Sequence, residues 1–243
     1  MSKLPKAPLV EIVLELRWKI TNKSDLLKIQ YLYGDIYSEL KNKYPHRESN
    51  VPTEIPIDIL INQPIHRFRT APNDYPLFQV GPGILTLNTI DKKYFWDTFS
   101  KDSEELVVSF LKVFPIDIHE KLTPSILFLD FFPFDFDKHD VNKYINERFN
   151  VVFHQSFIVN DKYPKDLNIG FYYEISIGDL SITFLKGKNT SQQDGIVLQT
   201  RINGKPLNPN KEEISSWIEK SHDICSDLFK KLTQGELYES FKS

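Results

Sequence analysis

Acidic and imidazole side chains are densest between Asp130 and Asp140, where Asp130, Asp135, Asp137, His139 and Asp140 crowd one short stretch. Carboxylate oxygens with an imidazole suit a hard or borderline metal ion. Asp135, Asp137 and His139 are the candidate ligands. The spacing matches no known ligand pattern, and Asp135 and Asp137 stand just ahead of a helical segment. Carboxylates there cap free amides and face the positive end of the helix dipole. Capping therefore outweighs metal binding, and no metal or other cofactor is expected.

A second group is Glu11, Glu15 and Arg17, which period-two alternation puts on one face of a strand. Glu11 and Glu15 stand roughly 13 Å apart along such a strand, too far to share a proton. They read as a charged sheet face that could line a groove. Arg67 and Arg69 point to one side of a short strand and could hold an anion, or they could protect an exposed edge. His222 precedes Cys225 by three positions, which makes them neighbours on one helix face. A working Cys/His pair needs an electropositive cleft that activates the thiol. Ile218 and Phe229 around them favour a packed helix face, with His222 as a buried hydrogen-bonding group and Trp217 as a structural residue.

Other catalytic signatures are missing. The chain has no Gly-x-Ser-x-Gly, His-Glu-x-x-His, Cys-x-x-Cys or Gly-x-Gly-x-x-Gly. Lys186-Gly187-Lys188-Asn189 lacks the upstream glycines of a phosphate loop and reads as a hairpin turn.

The elements that must position these residues follow from periodicity. Val10–Trp18 alternates as a half-buried strand. After Asn22-Ser24-Asp25 as a cap, Leu26 to Leu40 carries an amphipathic helical stripe that Pro45 ends. Four short strands are expected next: Glu54–Ile61, Ile65–Thr70, Leu77–Val80 and Ile84–Leu87. Gly81-Pro82-Gly83 breaks the last two. Residues 93–114 return to helical spacing. The order then starts again: strand Pro124–Phe132, helix Asp137–Phe149, and strands Val151–Val159, Leu167–Ser176, Leu180–Leu185 and Ile196–Ile202. A long helix capped by Asn210 closes it, with Glu213 at the capping-box position.

This order predicts an α+β fold of two β-α-β4-α repeats, 1–118 and 119–243, packed as one unit. Curved antiparallel sheet would carry its helices on one face. Such a unit resembles the TATA-binding-protein-like saddle, and a helix-grip fold is the alternative. Fold likeness by itself carries no function.

Lys plus Arg is 30 against 33 Asp plus Glu, a net charge of −3, which disfavours a phosphate-dominated nucleic-acid interface. The lone Cys225 makes no internal disulfide, and no apolar run reaches a membrane span's length. A cytoplasmic location without membrane association is expected.

Several strings resemble a sporadically distributed family of uncharacterised bacterial proteins. They are Leu4-Pro5-Lys6-Ala7-Pro8-Leu9-Val10-Glu11, Phe78-Gln79-Val80-Gly81-Pro82-Gly83, and Trp217-Ile218-Glu219-Lys220-Ser221-His222 with Leu228-Phe229 and Gly235-Glu236-Leu237. The resemblance implies no defined activity. Its patchy occurrence implies an accessory setting such as phage defence or a toxin–antitoxin system. The expected role is a non-catalytic module that binds a protein partner through Glu11, Glu15, Arg17, Arg67, Arg69, Gly81 and Gly83. Nucleic-acid binding by the same sheet and metal-dependent hydrolysis are the alternatives.

Overall fold

The computed structural model describes residues 4–21, 23–52, 54–114, 120–154 and 162–242. Its frame is a single nine-stranded antiparallel sheet with helices packed on it, an α+β architecture. The first five strands are β1 (Leu9–Arg17), β2 (His46–Ser49), β3 (His66–Arg69), β4 (Leu77–Gly81) and β5 (Ile84–Ile90). The others are β6 (Thr123–Pro133), β7 (Asn168–Ile175), β8 (Gly178–Lys188) and β9 (Asp194–Gly204). Their order across the sheet is β2-β3-β4-β5-β1-β6-β9-β8-β7. The central seam is β1 against β6, with Leu14 opposite Ile126 and Arg17 opposite Thr123.

Alternation sorts the side chains as the sequence predicts. On β1, Ile12, Leu14 and Leu16 are buried under helices, while Glu11, Val13, Glu15 and Arg17 face the other way. The helical layer contains α1 (Lys23–Leu40), α2 (Trp96–Val113) and α4 (Lys211–Thr233). α2 packs against both α1 and α4, and α4 lies on β6 and β9. Two shorter helices are α3 (Val141–Arg148) and α5 (Glu236–Ser240). Ile29, Ile36, Val107, Phe110, Ile214 and Ile218 supply the buried stripes. Burial of such side chains contributes about 1.5–3 kcal/mol each. Asn210 caps α4 by accepting from Glu213 N–H at 3.0 Å. The Glu213 carboxylate reaches back to Asn208 rather than to the cap residue, a displaced form of the expected box.

Several expected boundaries are corrected. No strand forms over Glu54–Ile61; residues Ile57–Leu60 make a 3-10 turn instead. Pro52 and Pro56 cannot donate to a ladder, and the strand lies earlier, at His46–Ser49, directly after Pro45. The start of α3 is set by Asp140, whose carboxylate accepts from Asn142 N–H at 2.9 Å, and not by Asp135 or Asp137. Lys186–Lys188 belong to β8, and the turn beyond them is built on the Asn189 side chain. Of the expected strand Val151–Val159, residues 151–154 form no strand and the remainder lies outside the described residues, as does the proposed cap Asn22. No helix among the described residues is long and apolar enough to cross a membrane.

Candidate functional site

On the sheet face away from the helices, a side-chain chain crosses four strands. Arg67 donates to Gln79 (2.9 Å), Gln79 to Thr86 (3.2 Å), Thr86 to Asn88 (3.1 Å) and Asn88 to Glu11 (2.9 Å). Arg17 donates to Glu15 at 2.6 Å. The structure thus brings Glu11 and Arg67 into one network, with Glu15 and Arg17 beside it as an ion pair. Gln79, Thr86 and Asn88, the middle of that network, are buried.

Arg69 is buried too. Its Nε donates to Glu48 at 3.0 Å, its Nη1 to the Asp74 carbonyl at 2.8 Å, and its guanidinium lies over the Tyr75 ring. Gly81 and Gly83 shape the β4–β5 turn. A Cβ on Gly81 would stand 1.9 Å from the Gln63 carbonyl oxygen, and Gly83 holds φ +77. Both glycines are there because a side chain would not fit.

Asp135, Asp137 and His139 lie on the surface. Asp135 pairs with Lys138 (3.0 Å) and accepts from Asp137 N–H, and Asp137 pairs with Lys165 (2.8 Å). These partners hold both carboxyls below the usual carboxylate range. Among the described residues no group of three His, Cys, Asp or Glu side chains converges on one point. A basin of about 860 Å³ beside them has the exposed charged side chains Lys138, Lys143 and Glu147 in its lining, with Asp135, Asp140 and Asp194 half-buried.

A different arrangement stands out on the helical side. A pocket of about 790 Å³ opens between β6, β9, the start of α2 and the second half of α4, with the segment Leu4–Leu9 as one wall. Pockets of several hundred Å³ suit small organic ligands. Tyr94, Phe95, Trp96, Phe128, Phe229 and Tyr238 give it aromatic walls.

Asp130 belongs to this pocket and not to the surface cluster. Alternation along β6 turns Ile126, Phe128, Asp130 and Phe132 toward the helices, with Leu9 of β1 and Leu198 of β9 as its strand neighbours. A bulge at Val10 keeps Leu9 opposite Asp130. Asp130 is only 5% exposed, and no hydrogen bond or ion pair reaches it among the described residues. Burial, with the nearby Asp91 carboxyl adding to it, pushes its pKa up to about 7.

α4 contributes His222 and Cys225. The imidazole stacks on Trp96 with ring centroids 3.6 Å apart and planes within 8°. Trp96 is held by donation to Glu219 at 3.1 Å. Burial lowers the His222 pKa and keeps the ring neutral, and its Nδ1 has no hydrogen-bond partner. The Asp223 carboxylate 3.5 Å away lacks bonding geometry. Burial and Asp130 push the Cys225 thiol up to about 12, the opposite of what a nucleophile needs. Trp217 lies one turn earlier and donates to the Ile177 carbonyl at 3.0 Å, a structural role. Lys230 and Lys242 stand in the pocket's lining, each with an acidic neighbour on its own segment, Asp227 and Glu239.

The sequence reading missed this pocket. Its signal was an Asp at an inward position of an apolar strand, together with a His and a Cys on the inward stripe of the helix that must cover it. Against known proteins, no family model, no curated protein and no solved structure matches this chain.

Proposed function

We propose that this protein is a non-catalytic binding module whose working site is the pocket between the sheet and α4. One observation carries this reading: a buried carboxyl without a partner faces an aromatic-walled cavity large enough for a small molecule. A buried polar group left unpaired costs roughly 1–3 kcal/mol, more if charged. A fold that needed only stability would be better served by an apolar residue at position 130. The raised Cys225 thiol and neutral, stacked His222 support binding over nucleophilic catalysis.

The test is titration with N-phenyl-1-naphthylamine, a neutral fluorophore. Saturation at one molecule per chain, with energy transfer from Trp96, is the expected result. Ser226 lines the pocket, so Ser226→Trp should fill it and abolish that binding while the circular dichroism stays unchanged. Absence of saturable binding, or binding untouched by Ser226→Trp, overturns the proposal.

A protein partner on the opposite sheet face is the second reading. Tyr172 there is 77% exposed, and Glu11 and Glu15 are held in place by Asn88 and Arg17. Surface aromatics and oriented polar groups suit protein contacts. The finer architecture, a duplicated saddle, belongs to the same proposal. Its support is that β1 and β6 lie side by side at mid-sheet, each followed by a helix and by strands that return from an edge.

A further inference from the structure

Resting on the pocket reading, we infer that the ligand is a small organic cation, an ammonium or protonated nitrogen base on an aromatic or apolar body, with its charged nitrogen seated against Asp130. Three features of the cavity converge on this class.

The first is charge. The inner wall carries the Asp130 carboxyl, with Asp91 close enough to disfavour its ionisation. Two acids lining one pocket make it a poorer host for an anion than for a cation. The lysines in the lining do not reverse this, because Lys230 pairs with Asp227 at 3.6 Å and Lys242 with Glu239 at 2.6 Å.

The second is the walls. Ring faces attract a cation through their quadrupole, most strongly for Trp and Tyr. Tyr94 comes from the segment before α2, Trp96 from the start of α2, Phe128 from β6, and Phe229 from α4. A nitrogen cation therefore finds aromatic contact and a carboxylate in one place, while the rest of the ligand finds apolar surface.

The third is unmet bonding capacity. Asp130 is a buried acceptor in the pocket wall, and no hydrogen bond from the described residues reaches its carboxyl. An N–H⁺ donor satisfies it with a charge-assisted hydrogen bond, roughly twice as strong as a neutral one.

Titration adds a pH signature. The titratable groups that line the cavity with Asp130 are Asp91 and Tyr94 before α2, His222, Cys225 and Lys230 on α4, Tyr238 on α5 and Lys242 beyond it. His222 is held neutral by burial, and Tyr94 and Cys225 are pushed upward, so Asp130 is the group that changes charge near neutrality. Cation affinity should rise from pH 6 to pH 8 as Asp130 ionises.

The experiment displaces N-phenyl-1-naphthylamine with three ligands of matched shape: 1-naphthylmethylammonium, 1-naphthylmethanol and 1-naphthylacetate. At pH 8 the ammonium should bind about tenfold or more tightly than the alcohol, the scale of one charge-assisted contact. The carboxylate should bind weakest. The ammonium's advantage should shrink at pH 6 in the unaltered protein, which needs no variant, and should vanish in Asp130→Asn. Equal binding of ammonium and alcohol, or an advantage that survives Asp130→Asn, overturns the cation assignment and leaves the pocket reading standing. Failure of the fluorophore itself to bind removes both.

Discussion

Replacing Asp130 by Asn should make the protein's stability less dependent on pH, and the size follows from the pocket. Burial lifts the carboxyl from 3.8 to about 7. Below 3.8 it is protonated whether the chain is folded or not, and contributes no pH dependence. Between 3.8 and about 7 the unfolded chain has released the proton that the folded chain still holds. Stability then falls as pH rises, by about 1.4 kcal/mol per pH unit. Above about 7 the loss is complete, on the order of 4 kcal/mol in all. Asn has no proton to release. Urea denaturation of both proteins at intervals from pH 4 to pH 9 gives the difference in unfolding free energy at each pH. That difference should move in favour of Asp130→Asn by about 4 kcal/mol between pH 4 and pH 8. Any fixed cost of burying the amide shifts the whole curve without changing its slope. A difference that stays flat across this range refutes the reasoning, since Asp130 would then be hydrated or paired in the folded protein.

Gly81→Ala should lower stability by more than about 2 kcal/mol in the same denaturation assay, because the new Cβ meets main chain and not a movable side-chain tip. A loss under about 0.5 kcal/mol would show that the Gln63–Pro64 backbone yields easily. Cys225 should react with a thiol-specific disulfide reagent at pH 8 roughly a thousandfold more slowly in the folded protein than in urea, since so little thiolate is present. Comparable rates in the two states would contradict both its burial and the negative character of the pocket.

Much of the scaffold was readable from period alone. Ile12, Leu14 and Leu16 alternate with charged residues, and the strand they predict is there. The α4 stripe from Ile214 to Leu232 was equally plain. Failures cluster where local chemistry competes with pattern. Glu54–Ile61 has strand-like apolar residues, but Pro56 within it and Pro52 just before it divert it into a 3-10 turn. His46-Arg47-Glu48-Ser49 carries no apolar signal, yet becomes a strand because β3 offers it a free edge.

The site was harder, because pockets are made by elements distant in sequence. Nearness in the chain groups Asp130 with Asp135 and Asp137. The strand's alternation separates them, sending one to the interior and the others to the surface. Alternation puts Glu11 with Glu15 and Arg17 on one face of their strand and Arg67 with Arg69 on one side of theirs, but the buried links Gln79, Thr86 and Asn88 between Glu11 and Arg67 follow only from the strand register.

The β1–β6 seam has a practical consequence for anyone who would express either half separately. Cutting the chain between α2 and β6 turns two interior strands into naked borders, each with a full row of unpaired amides and carbonyls and an apolar flank on the helical side. Each fragment's simplest relief is to pair that border with another copy of itself, so the halves should come out of cells as dimers or precipitate, and fold cleanly only when produced together.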